Sequence, residues 1–362
     1  MKGEMKAIRD TLIVLSPGFP ENEADTTCLP AQQALINTLN TNFKNLHIIV
    51  LSFQYPFVSA PYLWNGNRII PFNGRNKGRL RRLRTWLKVW RMLKKLNREN
   101  EIIGMISFWC TECALLGTWF GKKYSVKHCI WILGQDARKQ NKFVPWIRPA
   151  AEDLLAMSPF LAAEFYKNHG IKPAFIIPNG IAASSFPPVH PEKDIDFLGV
   201  GSLIPLKQFD VFVRVIRKLR DSLPGVSAVI CGKGPQEDAL RKMILDFDLQ
   251  KNISLPGERT HGEVLEWMSH CKLLLHPSSY EGFSTVCMEA LYAGAHVISF
   301  CDPQIGDIPH WHIVKNEEEM VALALKIIRD PDTDYSRGLV YSMDESAREL
   351  MKLFCSDQTG RG

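Results

Sequence analysis

The sequence lacks the features that define several protein classes. None of its apolar runs reaches the roughly 18 residues that a membrane-crossing helix requires. The first ten residues, MKGEMKAIRD, are charged and lead directly into TLIVLSP, so we expect no secretory signal. The nine cysteines are odd in number and widely scattered, which does not predict a disulfide framework. We therefore expect reduced thiols in a cytoplasmic protein.

Metal-binding patterns are also incomplete. Cys110 and Cys113 form one C-x-x-C pair, but no second pair or histidine cluster lies nearby, so buried helical cysteines are the favoured interpretation. The stretch from Asp330 to Asp334 resembles the start of a calcium loop, yet it lacks the glycine at the sixth position and the acid at the twelfth. We expect a turn there and no metal requirement.

Residues 75–98 contain no acidic residue. They hold eleven Lys and Arg, and because the whole chain carries +6, the remaining residues carry a net charge of −5. Helical spacing predicts an apolar stripe of Leu80, Leu83, Leu87, Trp90 and Leu93 or Lys94, with Arg79, Arg82, Lys88, Arg91 and Lys95 on other faces. Such a helix with interfacial tryptophans suits an anionic membrane surface. The alternative is a core-packed helix with a solvated basic face; nucleic acid is disfavoured because no base-reading module accompanies it.

The chain of 362 residues predicts two α/β domains. Apolar runs typical of buried strands include TLIVLSP, LHIIVLSF, EIIGMISFW, KHCIWILG, LLAMS and AFIIP in the first half, and IDFLGVGS, SAVICGKG, ISLPG, KLLLHP and HVISF in the second. Predicted helices alternate with them at 24–42, 78–98, 110–121, 159–169, 208–222, 235–247, 261–269, 284–293 and 316–328. This alternation indicates two Rossmann-like doubly wound domains, each with a parallel sheet covered on both faces.

The domain boundary is predicted at the Pro- and Ser-rich stretch 178–194. We expect an N-terminal domain at 1–180 and a C-terminal domain at 181–335. A last helix within 336–362 is expected to pack back on the first domain. Because ligands bind at the carboxyl ends of parallel strands, two such domains are expected to face each other across a cleft.

One loop combines a glycine, two hydroxyls and two carboxylates. In SSYEGFSTVCMEALYAG, Glu281 lies at the tip of a loop after the strand KLLLHP, and Ser284 or Thr285 begins a helix that carries Glu289. Gly282 permits an unusual backbone angle or a close approach by ligand. The free N–H groups of the first helical turn suit an anionic or hydroxyl-rich ligand. The alternative is that acids near a helix N-terminus only complement its dipole.

Three other loops follow predicted strands on the same edge. Lys207 lies in GVGSLIPLKQFD near a helix start, where an anion such as a diphosphate would compensate its unfavourable position in the helix dipole. The alternative is a lysine that bends away into water. In CGKGP, Gly234 fits close backbone approach and Lys233 could reach a phosphate or base. In LPGERTHGEV, Glu258 and Arg259 offer main-chain groups to a base.

Together these segments resemble the retaining, nucleotide-sugar-dependent glycosyltransferases of family 4, which have the GT-B fold. The matching stretches are SSYEGFSTVCMEALYAGAHVIS, with that family's E-x7-E signature, GVGSLIPLKQFD, CGKGP and IIPNGI. The resemblance spans roughly residues 100–300. It implies an acceptor-binding N-terminal domain and a nucleotide-sugar-binding C-terminal domain. The implied reaction is transfer of a sugar from a UDP- or GDP-sugar to a hydroxyl with retention of configuration. It also implies a glycan or lipid-linked acceptor in cell-surface polysaccharide or lipopolysaccharide synthesis, at the inner face of the plasma membrane.

The resemblance also implies roles for individual residues. Glu289 would bind the donor ribose, and Glu281 with the amides of Gly282, Phe283 and Ser284 would hold the sugar and phosphates. Lys207 would neutralise the departing diphosphate. The implied nucleotide-binding set further includes Gly201, Ser202, Lys233, Gly234, Glu258, Arg259 and Thr285, and Asp136 is an implied sugar or acceptor contact.

Two positions depart from the family pattern. Ser202 stands where the family usually has an arginine beside the lysine, and Leu133 stands in WILGQDAR where a histidine is usual. These departures support one alternative, a non-catalytic sugar-nucleotide-binding or scaffold protein of the same fold; a sugar-nucleotide epimerase is the second alternative. The epimerase is disfavoured because Leu133 cannot act as a general acid or base.

Overall fold

A computed structural model describes residues 10–188, 190 and 192–355, with the side chain of Arg79 outside the description. The expectations for the first nine and last seven residues lie outside it. The chain forms two compact units, Met1–Asn179 with Met343–Gly362, and Gly180–Ser342. The sequence places the boundaries after residues 180 and 335. Residues 336–342 belong to the second unit because Gly338 donates to the Leu291 carbonyl at 3.0 Å and Ile181 donates to the Tyr341 carbonyl at 2.8 Å.

The first unit contains an eight-stranded sheet in the order β3-β4-β2-β1-β5-β6-β7-β8. Its strands are β1 (Asp10–Gly18), β2 (His47–Tyr55), β3 (Tyr62–Trp64), β4 (Asn67–Pro71), β5 (Glu101–Phe108), β6 (His128–Ile132), β7 (Leu154–Ala156) and β8 (Phe175–Ile176). Its helices are α1 (Pro30–Asn42), α2 (Arg79–Glu99), α3 (Glu112–Tyr124), α4 (Val144–Ile147), α5 (Pro159–His169) and α11 (Met343–Cys355). All neighbouring strands are parallel except β3 with β4.

The second unit contains a parallel six-stranded sheet in the order β11-β10-β9-β12-β13-β14. Its strands are β9 (Ile195–Val200), β10 (Ala228–Cys231), β11 (Ile253–Gly257), β12 (Cys271–His276), β13 (His296–Ser299) and β14 (Trp311–Ile313). Its helices are α6 (Phe209–Arg220), α7 (Glu237–Asp246), α8 (His261–His270), α9 (Thr285–Tyr292) and α10 (Glu317–Arg329). The two doubly wound sheets confirm the predicted fold class.

Local sequence explains where the site-bearing helices begin. Thr260 and Glu263 form a capping box that starts α8: the Thr260 hydroxyl accepts from the Glu263 amide, and the Glu263 carboxylate accepts from the Thr260 amide at 2.8 Å. Ser284 caps α9 by accepting a hydrogen bond from the Cys287 amide at 3.4 Å. These caps place His261 and Thr285 at the first helical positions.

Helix α2 presents two apolar faces instead of the single predicted stripe. Val89, Leu93 and Leu96 are fully buried against the sheet, whereas Leu80, Leu83 and Leu87 are 78%, 51% and 56% exposed. The prediction of interfacial tryptophans was wrong. The Trp86 indole N–H donates to Glu112 at 2.7 Å, and Trp90 packs edge-on against Phe120 at 5.5 Å.

Within the described part of the chain, no helix combines the length and apolar composition needed to span a membrane.

Candidate functional site

The candidate site lies at the centre of the second unit's sheet. Strands β9 and β12 are neighbours there, and the sheet extends from β9 towards β11 on one side and from β12 towards β14 on the other. Such a reversal leaves a crevice at the carboxyl ends of the two strands. The loops after β9 and β12 are joined where the Ser279 amide donates to the Leu206 carbonyl at 2.9 Å. The topology therefore brings Lys207 and the E-x7-E loop together.

Lys207 and Glu281 form an ion pair across these two loops. The lysine ends a short 3-10 turn, Pro205–Lys207, and its Nζ contacts Oε1 of Glu281. About one-fifth of each side chain is exposed, 21% and 20%. Lys207 also lies over Gly201, since a Cβ added to that glycine would be 3.5 Å from the lysine Cε. An ammonium group is thus held where the loops after β9 and β12 meet.

The surroundings of Glu281 strongly favour its ionised, negatively charged form. Burial alone would raise the pKa of this carboxyl group, but nearby His276 and Lys207 outweigh burial and lower the pKa to about 2. His276, the last residue of β12, lies with Nε2 3.4 Å from Oε1 of Glu281. Burial lowers the pKa of His276 despite the carboxylate beside it. At neutral pH the site therefore holds an ionised Glu281 and a neutral His276.

Helix α9 begins directly beside this ion pair. Thr285 is its first residue, and Phe283 and Gly282 before it are buried. The Phe283 ring lies parallel to that of Trp311, with ring centroids 6.2 Å apart. The helix start is therefore fixed against the sheet. Its first-turn amides and dipole favour an anionic ligand next to Lys207.

Glu289 lies in the second turn of α9 and is buried. Its Oε1 is 2.8 Å from Nε2 of His261, the first residue of α8. Burial lowers the pKa of His261, but the hydrogen bond and charge of Glu289 outweigh it and raise the pKa above its usual value. The carboxylate is therefore held in place by a neighbouring helix. Its contact with a donor ribose stays a prediction.

The glycine loop after β10 approaches protein backbone. A Cβ on Gly232 would lie 1.9 Å from the Gly201 carbonyl oxygen, and one on Gly234 would lie 2.5 Å from the Leu203 carbonyl oxygen. The Leu203 amide also donates to the Lys233 carbonyl at 2.9 Å. The close approach expected of this loop thus joins it to the loop after β9.

The other residues of the second unit discussed as nucleotide contacts, Lys233, Glu258, Arg259 and Ser202, also lie in loops that follow strands. The side chains of Lys233 and Glu258 form an ion pair with each other and are largely exposed. The guanidinium of Arg259 lies 5.9 Å from the ring centroid of Trp267. The structure places Ser202 between Gly201 and Leu203 in the loop after β9. Roles for these residues in nucleotide binding stay predictions.

Asp136 belongs to the first unit and is buried. Its carboxylate accepts backbone hydrogen bonds from Cys110 at 2.8 Å, Gly134 at 2.8 Å and Leu133 at 3.2 Å. Burial nevertheless raises the pKa of Asp136 to about 6, because it outweighs these hydrogen bonds. In this geometry the carboxylate holds the loops after β5 and β6 together. Its contact with a sugar or acceptor stays a prediction.

The structure also shows how the metal-ligating types of side chain and the Cys110–Cys113 pair are arranged. Among the described residues, no group of three or more His, Cys, Asp or Glu side chains is arranged to hold a metal ion. Cys110 and Cys113 are fully buried, as expected, and burial raises the pKa of both thiols. Cys113 lies in α3, whereas Cys110 lies in the turn before it and is not helical as predicted. The site residues are thus a lysine, two carboxylates, two histidines and main-chain amides.

Sequence reasoning missed the two histidines of the site. His276 ends the predicted strand KLLLHP, and a residue at that position faces the same edge as the loop that follows. His261 follows Thr260 in T-H-G-E, a capping-box pattern that places it at a helix start. Both signals were present in the sequence, but the partners Glu281 and Glu289 are brought to them only by the tertiary structure.

Comparison with known proteins gives matches of two kinds. Residues 181–333 match the family model described as "Glycosyl transferases group 1". A phosphatidylinositol N-acetylglucosaminyltransferase gpi3 subunit of Schizosaccharomyces pombe is 33% identical over 137 residues, covering 37% of this chain and 29% of the relative. The chain thus spans less than a third of that curated relative's length.

Solved structures resemble the chain over nearly its whole length. Sucrose-phosphate synthase of Thermosynechococcus elongatus covers 97% of this chain and all of the other, with a TM-score of 0.72 and 15% identity. The pneumococcal O-GlcNAc transferase GtfA, solved with UDP and GlcNAc, covers 98% of this chain and all of the other, with a TM-score of 0.69 and 13% identity. At these identities the likeness shows the GT-B fold. The family model matches residues 181–333, less than half of the chain, so the second unit resembles the glycosyl transferases group 1 family.

Proposed function

We propose that the protein is a retaining glycosyltransferase that moves a sugar from a UDP-sugar to a hydroxyl of a lipid-linked glycan acceptor. In this reaction the bond between the sugar C1 and the diphosphate oxygen breaks, a bond from C1 to the acceptor oxygen forms, and the proton of the acceptor hydroxyl passes to the released diphosphate. UDP leaves with the bonding electrons. The observation that carries the proposal is the Lys207–Glu281 pair beside the N-terminus of α9.

The electrostatics of the crevice suit a diphosphate. The ammonium of Lys207 and the first-turn amides of α9 provide positive potential where negative charge develops on the leaving group. Glu289, fixed by His261, is expected to accept hydrogen bonds from the ribose hydroxyls. The pneumococcal relative of this fold was solved with UDP and GlcNAc, which makes UDP-GlcNAc the first donor to test.

Donor turnover tests the proposal. Purified protein is incubated with UDP-GlcNAc, UDP-glucose and GDP-mannose, with membrane extract as acceptor, and the nucleoside diphosphate released is measured. We expect Lys207→Ala and Glu281→Gln to lower UDP release by roughly 10²–10³-fold. Lys218→Ala is the matched control, because this exposed lysine of α6 pairs with Glu317 and Glu318 outside the crevice.

The outcomes separate the proposal from its alternatives. UDP binding without release in any mixture would support the non-catalytic binding protein instead. The assigned site would be refuted if the Lys207→Ala and Glu281→Gln variants released UDP as fast as the wild-type protein. Conversion of the UDP-sugar to an isomer without UDP release would indicate an epimerase.

We further propose that helix α2 docks the protein on an anionic membrane surface that carries the acceptor. Leu80, Leu83 and Leu87 form an exposed stripe with no core role. Exposed basic side chains flank the stripe, and Arg91, Lys94, Lys95 and Arg98 surround a depression of about 300 Å³ together with Glu99. Apolar insertion combined with cationic flanks is the physical signature of interfacial binding. The relative from Schizosaccharomyces pombe is named for transfer to phosphatidylinositol, which supports a lipid acceptor.

Sedimentation with vesicles tests this docking surface. We expect binding to phosphatidylcholine vesicles that contain phosphatidylglycerol, with affinity falling as salt rises. Replacing Leu80, Leu83 and Leu87 by Gln should weaken binding by more than about tenfold, since three apolar side chains no longer insert. A double Gln variant of exposed Leu245 and Leu339 is the control. Absence of binding at low salt would refute the proposal.

A further inference from the structure

The imidazole of His276 lies buried behind Glu281 without a hydrogen bond at one of its nitrogens. The residue ends β12, five positions before Glu281, and is 3% exposed. Its Nε2 has no hydrogen-bond partner among the described residues, although it is 3.4 Å from Oε1 of Glu281. Most buried polar atoms in native structures are satisfied, so such a nitrogen calls for a physical explanation.

Lys207 has two anionic partners in the proposed reaction. In the structure its ammonium contacts Glu281. In the proposed donor complex the same ammonium also meets the diphosphate, which brings further negative charge beside Glu281. Like charges in a partly buried site repel each other strongly. Glu281 therefore requires another donor when the diphosphate engages Lys207.

We infer that His276 is a positioning residue that holds Glu281 through Nε2 when the Lys207 ammonium is engaged by the donor diphosphate. This inference rests on the proposed donor site. A neutral imidazole with its proton on Nε2 can donate to Oε1, once a small movement of the Glu281 carboxylate shortens and aligns the 3.4 Å contact. The strand end is a fixed point, whereas Glu281 lies in an irregular loop, so the histidine sets where the carboxylate rests.

The surroundings of His276 favour a neutral imidazole over a charged imidazolium as the hydrogen-bond donor. Burial lowers the pKa of His276, and the positive charge of Lys207 acts in the same direction against the opposing effect of Glu281. A neutral imidazole adds no charge to a crevice that must bind and release a diphosphate. In this inference, the Nε2 that lacks a hydrogen bond in the structure donates to Glu281 in the donor complex.

Two variants of His276 distinguish a role in positioning Glu281 from a role in packing alone. His276→Leu removes the donor, whereas His276→Gln keeps an N–H donor on a similarly long side chain. We expect the Leu variant to lower kcat for UDP-sugar turnover by roughly ten- to a hundredfold, as for a displaced active-site group. UDP affinity should stay within about threefold, because Lys207 and the helix amides remain. The Gln variant should recover most of the loss, and His312→Leu, on β14 of the same unit, is the control.

Nitrogen-15 NMR of histidine-labelled full-length protein provides a direct readout. The His276 resonances are assigned by their loss in His276→Gln. Addition of UDP should shift the protonated Nε2 of His276 as its hydrogen bond forms and leave His312 unchanged. A merely structural histidine would not respond to UDP.

Each outcome decides the inference. It is overturned if His276→Leu turns over donor at the wild-type rate, or if activity falls with thermal stability while the Nε2 resonance ignores UDP. Failure of the wild-type protein to bind UDP would refute the donor site itself, and the inference with it. Normal UDP binding with an unresponsive His276 would refute the inference alone.

Discussion

At the scale of single residues, each carboxylate of the E-x7-E loop has a nitrogen partner. Glu281 contacts Lys207 and His276, and Glu289 contacts His261. Buried carboxylates are retained as charged groups only when such partners offset their loss of hydration. The partners differ in charge at neutral pH, so the two glutamates are expected to respond differently to acid and base.

Glu281→Gln is expected to destabilise the second unit at neutral pH by on the order of 2 kcal/mol. Because the folded-state pKa of Glu281 is depressed to about 2, its contribution is present above the ordinary pKa of 4.5 and is lost as pH falls from there towards about 2. The difference between the thermal midpoints of wild type and variant should therefore be constant above about pH 5 and shrink steadily below about pH 4.5, in a scan from about pH 7 to 3. A difference that stays constant with pH would contradict the assigned cause.

His261→Gln tests a stability contribution whose pH dependence has the opposite sign to that of Glu281. The folded-state pKa of His261 is raised by Glu289, so its charge stabilises the fold fully below the ordinary pKa of 6.5. That contribution is lost as pH rises through the folded-state pKa. Thermal midpoints measured from about pH 6 to 9 should show a variant defect that shrinks with rising pH. His270→Gln, whose partners are the more exposed Asp194 and Glu266, is the control.

At the scale of elements, the alternation of strands and helices was correctly predicted in both units. Most predicted helices differ from the observed ones by one to three residues at their ends. The predicted helix 24–42 begins only at Pro30, since proline is favoured in the first turn and the preceding Leu29 has a left-handed φ of 57°. The β3–β4 hairpin was missed, although Asn65-Gly66 is a strong two-residue turn signal and both residues have positive φ.

The contact between glycine loops gives a prediction at this scale. Gly232 has a φ of +151°, and an added Cβ would lie 1.9 Å from the Gly201 carbonyl oxygen. Gly232→Ala should therefore displace the loop that carries Ser202 and Lys207, destabilise the unit by at least about 2 kcal/mol and weaken UDP binding. Gly225→Ala is the matched control, because no atom lies within 4 Å of its added Cβ. Thermal unfolding and UDP titration of both variants measure the effect.

At the scale of the whole molecule, each unit has its own apolar core. The core of the second unit is built around Phe197, Phe212 and Leu273, and that of the first around Leu51, Leu93 and Met105. Helix α11 belongs to the first unit although it follows the second in sequence. It packs on α1 and β5, and Asn42 donates to Asp344 at 2.8 Å.

Phe354→Ala is expected to weaken the first unit selectively. The Phe354 ring is buried against Gly104 of β5, where a Cβ on the glycine would lie 2.1 Å from the ring. Its removal leaves a cavity that costs about 3–5 kcal/mol. Hydrogen exchange should show lost protection in β1 and β5 while β9 and β12 keep theirs. Lys352→Ala, an exposed neighbour on the same helix, should leave all four strands unchanged.

The sequence by itself determined the two α/β units, most element positions and the E-x7-E loop, because these depend on local periodicity, capping and turn chemistry. It also located the basic helix, since a run of eleven cations without an acid needs no partner to be recognised. Only the tertiary structure decided which face of α2 is buried and which charges meet. The pairing of Lys207 with Glu281, 74 residues apart, depends on β9 and β12 being neighbours, and strand order is a property of long-range packing that no local pattern encodes.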